Sequence, residues 1–459
     1  MIHNPQPLSV RWTGAIFPLK GAQAMLQMLS DLLWGVPTIA LMLLVGVLFT
    51  FRTRFVQIRK LGDSFRLVGD SILHPTDGVS PFQAVCTALA ATVGTGNIAG
   101  VAGAVALGGP GAVFWMWVSA FFGMATKYAE VVLAMGYRRK ENGIWQGGAM
   151  YCIRDGMGRP KLAAVFALFA MLASFGMGNL AQVNTIAVTV RTAAEEYALW
   201  LRPEPVLLFT GMVVAVLTAM VTLGGAKRIG VVMERLVPVV AAAYILGSCA
   251  VLAAHWDSVP DAFAAIFRGA FSPQAVLGGG TGIGIRHAVR WGVSRGVFSN
   301  EAGLGSAPMA HAAAETKPEV QGLMGIFEVF LDTVVLCTLT ALTILVSGVP
   351  IAYGKPAGAE LAAAALETVL GGAAAGLLAL CVALLALATL ICWQLYGSRC
   401  AGYLFGSRGE AVYRLVYLAV ILLGATMDLS SVWAVSDLFN GLMALPNLLM
   451  LLSLRKEIK

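Results

Sequence analysis

The sequence predicts an all-α polytopic membrane protein with about 11 transmembrane helices, and three observations carry that prediction. Of the 459 residues, 58% are hydrophobic and only 12% are charged, with a mean hydropathy of +0.79. Such a chain has more apolar surface than one water-soluble core can enclose, so lipid must be part of its solvent. Apolar stretches of about 20 residues, the length a helix needs to cross roughly 30 Å of hydrocarbon, recur from one end to the other. The cations fall between these stretches in alternation.

The expected spans are 31–51, 82–107, 111–136, 160–190, 205–225, 236–254, 283–313, 320–348, 371–397, 411–427 and 433–453. Residues 1–30 are mixed in polarity and read as an extracytoplasmic N-terminal extension. The first apolar segment, 31–51, lacks a following small-residue cleavage pattern, so it is expected to be a retained membrane helix rather than a signal peptide.

Orientation follows from the cations, because cytoplasmic loops collect Lys and Arg. With the N-terminus outside, the inner segments hold 20 cations, among them Arg52, Arg54, Arg59, Lys60, Arg138, Arg139, Lys140, Lys227 and Arg228. The outer segments hold six: Arg11, Lys20, Arg191, Arg202, Arg268 and Lys355. The expected placement is therefore the cell (inner or plasma) membrane, N-terminus outside and C-terminus cytoplasmic. The net charge of +7 is accounted for by this bias, and no nucleic-acid partner is expected.

Seven cysteines are scattered without C-x-x-C spacing and read as reduced packing residues. No H-E-x-x-H helix, Walker-type loop or nucleophile elbow is present, and the five histidines are isolated in sequence. Direct ATP drive and zinc chemistry thus lack support. The chain is expected to be no enzyme, to need no cofactor and to have no obligatory protein partner.

Without the first helix, the other ten divide into two sets of five, 82–254 and 283–453, nearly equal in length. Five is odd, so the halves have opposite orientation. The first helix of each half is interrupted by glycine and polar residues: Gly94-Thr95-Gly96-Asn97 in one, Phe298-Ser299-Asn300-Glu301-Ala302-Gly303 in the other. Interruptions at matching places in inverted halves point to a transporter. The reason is that unpaired backbone groups at mid-membrane depth survive only where they line a cavity or a ligand satisfies them. Amphipathic patterns at Val259 to Phe271 and Glu360 to Leu370 suggest helices lying on the outer surface.

At the first interruption, carbonyls ending near Val93 suit a cation, and amides resuming near Asn97 suit a carboxylate. Close helix packing through Gly96, Gly100 and Ala104 is the plainer alternative. At the second, Ser299 or Asn300 is expected to N-cap a resuming half-helix with Glu301 in its first turn; carbonyls near Phe298 would receive an ammonium group. Thr389 and Trp393 share a helix face, where core packing and pocket lining compete. Asn179, Gln182 and Asn184 fit pocket lining and interhelical hydrogen bonding about equally. Lys127 and Glu130 read as a structural pair, whereas Glu328 and Asp332 stand out as isolated acids in an apolar helix.

At these residues the chain resembles the sodium:alanine symporter family, the alanine or glycine:cation symporters, over nearly everything after about residue 35. The resemblance rests on Arg54-Phe55-Val56-Gln57-Ile58-Arg59, on Gly94-Thr95-Gly96-Asn97-Ile98-Ala99-Gly100, and most specifically on Gly108-Gly109-Pro110-Gly111-Ala112-Val113-Phe114-Trp115-Met116-Trp117. Further matches are Gly123 to Glu130, Ser299 to Pro308 and Ile326 to Thr333. It implies a LeuT-type 5+5 inverted repeat preceded by one extra N-terminal helix, with the first and sixth core helices broken. It also implies import of small neutral amino acids, alanine and glycine, with sodium as coupling ion. By the same resemblance, substrate is held by Gly94, Thr95, Gly96, Asn97, Gln182, Phe298, Ser299, Asn300 and Trp393. Sodium meets the carbonyls of Ala91 and Val93 and the hydroxyl of Thr389. The step Ala388-Thr389 supplies one hydroxyl where the pattern leads one to expect two. Small substrates would be selected by Trp393 and by Phe175 if it faces inward. Proton coupling through Glu328 or Asp332 is the alternative within transport, and an ion channel with the glycine-rich break as its filter is the alternative from another class.

Overall fold

The structure, a computed structural model, describes residues 28, 33–74, 78–141, 143–197, 203–271, 284–427 and 429–458. The expected 1–30 extension, Met28 apart, lies outside the described residues, as do Arg11, Lys20 and Arg202 of the outer cations.

Helix α1 (Val36–Arg52) is followed by α2 (Leu61–Leu73), α3 (Pro81–Thr92), α4 (Val101–Gly108) and α5 (Gly111–Gly136). Then come α6 (Pro160–Phe175), α7 (Ala181–Tyr197), α8 (Pro203–Thr222), α9 (Gly225–Ala254) and α10 (Val259–Phe271). The rest comprises α11 (Ile285–Asn300), α12 (Pro308–His311), α13 (Pro318–Val329), α14 (Thr338–Val346), α15 (Ala359–Leu370), α16 (Ala373–Thr426) and α17 (Leu429–Ser453). Wide π-helical turns precede α4 (Gly96–Gly100), join α6 to α7 (Gly176–Leu180) and join α13 to α14 (Phe330–Cys337). The strand pair Arg139–Glu141 and Ile144–Gln146 forms one antiparallel hairpin.

Every expected apolar stretch is helical over its described residues, with two differences that have physical causes. Helix α9 begins at Gly225 rather than at 236, because the backbone ladder continues past the hydrocarbon edge while Lys227, Arg228 and Arg235 reach water along their stems. The stretches 371–397 and 411–427 are the two helices expected; they are labelled together as α16 and meet at a kink where Gly406 leaves helical geometry (φ 70°, ψ −171°). The stretch 283–313 does not resume as a long half-helix: α11 ends at Asn300, and only the short α12 follows. Helix α2, amphipathic and too short and charged to span, and the charged hairpin were not expected.

Among the described residues, six helices are long and apolar enough to cross a membrane, and α3 with the π turn and α4 makes a seventh crossing, bent by 52°, if counted as one. Their apolar windows are buried to very different degrees, 72% in α5 against 28% in α8. Helix α5 therefore sits in the protein interior and α8 at the lipid edge, where Leu208, Phe209 and Val216 stay exposed. Such a face is stable only against an apolar solvent. Helix α5 packs against α1, α10, α11 and α13, and α16 packs against α6, α7 and α8. Helix α3 lies against α9 and α16.

Candidate functional site

The first break is built by local rules. Helix α3 starts with a capping box, in which Ser80 Oγ accepts from Gln83 N (3.1 Å) and Ser80 N donates to Gln83 Oε1 (3.2 Å). It stops where Val93 turns extended (ψ 98°). Ending a ladder frees carbonyls, and that of Ala90 is taken by Thr389 Oγ1 at 2.9 Å, which also lies 3.0 Å from Leu385 O. Gly94 N donates to Asn97 Oδ1 (2.9 Å), so the Asn97 side chain closes the loop it belongs to.

The second break departs from expectation. Ser299 and Asn300 do not cap a resuming helix; they are the last residues of α11. Glu301 takes the left-handed conformation there (φ 55°), followed by Gly303 (φ 94°) and Gly305 (φ 80°). Positive φ at two glycines within three residues turns the chain out of the helix, so the break falls at 301–307 and not at Phe298. Asn300 Oδ1 accepts from Ala302 N (3.0 Å), and Asn300 Nδ2 donates to Thr333 Oγ1 (3.1 Å).

The two breaks meet. A Cβ on Gly96 would lie 3.6 Å from Phe298 Cδ1 and 3.7 Å from Ser299 Cα. Asn97 Nδ2 donates to Ser299 Oγ (3.0 Å) and to Asp332 Oδ1 (2.7 Å), and Asp332 Oδ2 accepts from Ser299 Oγ (2.8 Å) and Thr333 Oγ1 (2.7 Å). Asp332 is fully buried and joins both breaks to the π turn between α13 and α14. The donors on its carboxylate are an amide and two hydroxyls. Asp332 was absent from the expected ligands although it was conspicuous, with Glu328, as an acid in an apolar helix; its contacts with the two breaks come from residues 33 and 235 positions away, which sequence spacing does not reveal.

The other expected residues divide. A Cβ on Gly94 would stand 2.8 Å from Thr389 Oγ1 and 4.0 Å from Gln182 Oε1, so these three converge beside the first break. Gln182 Nε2 donates to Met177 O (3.1 Å), and its Oε1 is buried without a hydrogen-bond partner. Trp393 is placed elsewhere. It is fully buried, packed so tightly on Gly178 that a Cβ there would be 2.2 Å from Trp393 Cβ, and its Nε1 donates to Glu301 Oε1 (3.2 Å). Ser306 Oγ donates to Glu301 Oε2. Phe175 does not face the breaks; it stacks near Tyr413 and Tyr417, with ring centroids 5.1 and 5.9 Å away. Asn179 and Asn184 spend their amides on carbonyls of α16, at Tyr417 (2.8 Å) and Gly424 (3.1 Å); interhelical bonding accounts for Asn179, whereas Asn184 both bonds across helices and lines a cavity beside the first break.

Lys127 pairs with Glu328 (3.2 Å) and not with Glu130. Both partners are fully buried, and Glu328 also meets His311 Nε2 (2.8 Å), whose Nδ1 contacts Gln321 Nε2 (2.8 Å). Glu130 instead accepts from Gly303 N and from Asn447 Nδ2. The i, i+3 spacing suggested a local pair, but buried charges take the partner that also satisfies their remaining hydrogen bonds, and α13 supplies it.

A cavity of about 490 Å³ opens beside the first break, lined by Thr95, Ile98, Ala99 and Gly100, by Asn184 and Thr185, by Trp291 and Arg295, and by residues 356–360. Of the expected substrate ligands, Thr95 lines it. The segment after the second break is tied to the rest of the chain. Arg138 Nη1 donates to the carbonyls of Ala312 and Ala314, Arg138 Nη2 to that of Thr316 (3.3 Å), and Val79 bridges to Ala314.

A cavity ending on broken helices is what a carrier needs, and comparison with known proteins shows which kind. The model of the Sodium:alanine symporter family matches residues 19–459. The chain belongs to that family. This symporter is similar to Sodium/alanine symporter AgcS of Methanococcus maripaludis, 44% identical over 437 residues that cover 93% of each chain. It is similar to an uncharacterized transporter of Haemophilus influenzae, 43% identical over 443 residues, 95% of this chain and 94% of the other. It is also similar to Probable sodium/glutamine symporter GlnT of Bacillus subtilis, 38% identical over 435 residues, 94% of this chain and 87% of the other. The symporter is thus a multi-pass membrane transporter and not an enzyme.

Proposed function

We propose that the chain imports small neutral amino acids, alanine and glycine, together with sodium, by alternating access in a LeuT-type 5+5 arrangement preceded by one extra N-terminal helix. The carrying observation is the junction of Asn97, Ser299 and Asp332, which ties the two broken helices to each other, next to a cavity that reaches the first break at Thr95 and Ile98. In this reading 82–254 and 283–453 are the inverted repeats, and the cell membrane holds the chain with its N-terminus outside. The cavity then faces outward, because Leu107, Trp291 and residues 356–360 lie at the expected outer ends of their helices.

The substrate carboxylate would sit on amides of the first break (Thr95, Gly96), with Gly94 keeping the loop open while its own N–H is held by Asn97; the ammonium would sit on carbonyls near Phe298 and Ser299, and Gln182 Oε1 stands beside Gly94. Asn97 and Asn300 act by holding the breaks in shape, and Trp393 by fixing Glu301 behind the second one. Sodium would meet the carbonyls of Ala91 and Val93 and the Thr389 oxygen. The Thr389 hydrogen is committed to backbone carbonyls, which leaves its lone pairs for a hard cation. The carboxylate of Asp332 adds a nearby negative charge. The group around α5, α11 and α13 would rock against the group around α6, α7, α8 and α16.

The test is uptake of labelled L-alanine into proteoliposomes under a sodium gradient. Uptake is expected, and Asn97→Ala is expected to abolish it. Equal uptake with potassium in place of sodium at fixed pH would rule out the sodium assignment. Uptake driven by a pH gradient without sodium would favour proton coupling, for which Asp332, surrounded by neutral donors, is the group the structure favours over the ion-paired Glu328. Ion currents beyond about 10⁶ per second without amino acid, faster than conformational cycles of μs to ms allow, would mark a channel.

A further inference from the structure

We infer that the cavity holds a second, outer binding site for the amino-acid zwitterion, with Arg295 receiving the carboxylate and Glu360 the ammonium, before delivery to the breaks. This rests on the amino-acid reading above.

Arg295 lines the cavity and belongs to the face of α11 that also carries Trp291 and Phe298, at i−4 and i+3. Its guanidinium carbon lies 5.4 Å from the centroid of each ring. A guanidinium seated over aromatic faces uses its π surface there and keeps its rim of N–H donors for planar acceptors. Among the described residues no carboxylate pairs with it. A cation in a partly enclosed and largely apolar cavity, with its strongest donors unspent, is arranged for an anionic group that arrives from outside.

The other charged residue lining the cavity is Glu360, in the first turn of α15 and exposed. Its Oε1 accepts from Gly358 N (2.6 Å), which fixes the side chain at the rim. One cation and one anion on separate walls match a net-neutral ligand with two charged heads. They match a simple cation less well, since it leaves Arg295 unpaired and partly desolvated, and a simple anion less well, since it meets the like charge of Glu360 at the rim.

Position gives the site its role. Arg295 is three residues before Phe298, about 4.5 Å along the helix axis, and Phe298 touches the first break at Gly96. Thr95 of that break shares the cavity with Arg295. A carboxylate on Arg295 is therefore about one helical turn above the amides proposed to hold it for transport, and transfer needs no excursion through bulk water.

The experiment is sodium-driven uptake of L-alanine by reconstituted wild type, R295Q, R295K and E360Q, with KM and kcat separated and folding checked by melting temperature. R295Q is expected to raise KM about tenfold or more while kcat stays within about twofold, the pattern for lost binding without lost turnover. R295K keeps the charge but loses the two-pronged geometry, so a smaller rise is expected, and this variant decides the matter should R295Q not fold. Propionate, a carboxylate without an ammonium group, is expected to compete with alanine in wild type and to lose potency in R295Q; ethylamine is expected to lose potency in E360Q. A KM within about twofold of wild type in R295Q and R295K overturns the outer site, as does a fall in kcat at unchanged KM, which would mark a gate. Wild type that takes up no alanine overturns the amino-acid reading itself, a result distinct from either.

Discussion

Gly94→Ala tests the cation end of the site, and its size can be worked out. The added methyl would stand 2.8 Å from Thr389 Oγ1, inside the closest distance two such atoms tolerate. Thr389 is β-branched and lies in the middle of α16, so it yields by changing rotamer and not by bending. The new rotamer carries Oγ1 away from the carbonyls of Ala90 and Leu385, losing the one hydroxyl hydrogen bond they share, about 0.5–1.5 kcal/mol. That is roughly a 2- to 13-fold change in an equilibrium constant. The apparent sodium affinity, read from the sodium dependence of alanine uptake in proteoliposomes, is expected to weaken by that factor, with a smaller effect on alanine KM at saturating sodium. The partner experiment is Gly94→Ala with Thr389→Ala. If the clash is the cause, the double variant is no worse than Thr389→Ala alone, because contacting residues are not additive. Additive losses, or a single variant with unchanged sodium dependence, would refute the placement of Thr389 against the first break.

Lys127→Met leaves Glu328 buried beside His311 without its cation and is expected to cost about 3–5 kcal/mol, read as a lower melting temperature in detergent; adding Glu328→Gln should return most of it. Asp332→Asn places an amide N–H₂ against donors and costs about 1–3 kcal/mol; alanine uptake is expected to fall at least about tenfold, with the fold retained by melting temperature. Trp393→Phe removes the donor to the buried Glu301 carboxylate, about 1.5–3 kcal/mol for a charged acceptor, and is expected to lower the melting temperature while leaving propionate competition unchanged.

The long apolar helices and the first break were legible because each rests on local sequence. Apolar length marks a helix such as α5, and Gly94-Thr95-Gly96-Asn97 marks a turn that no buried α-ladder tolerates. The second break was legible in place but not in form. Ser299 and Asn300 have the chemistry of N-caps, yet helix α11 had already been stabilised through Asn300, and the positive φ of Gly303 and Gly305 shifted the turn downstream. Trp393 and Asp332 illustrate the harder case. Whether an aromatic lines a pocket or plugs the core depends on Gly178, more than 200 residues before it, and the value of Asp332 lies in Asn97 and Ser299. Partnerships of that kind are set by tertiary packing, so residue type nominated the candidates and only geometry could sort them.

The π turn at Phe330–Cys337 makes register, more than composition, the sensitive property of the α13 to α14 crossing. Upstream of the turn, Glu328 meets Lys127; within it, Asp332 meets Asn97; downstream, Thr338 Oγ1 accepts from Trp117 Nε1 (2.7 Å) and Thr340 Oγ1 donates to Asn97 O (2.8 Å). Removing one residue, Val335 for instance, would barely change hydropathy or length. It would nonetheless draw the wide turn toward an ordinary helix and rotate everything after it by about 100°, so that the anchors above and below the turn could no longer be satisfied together.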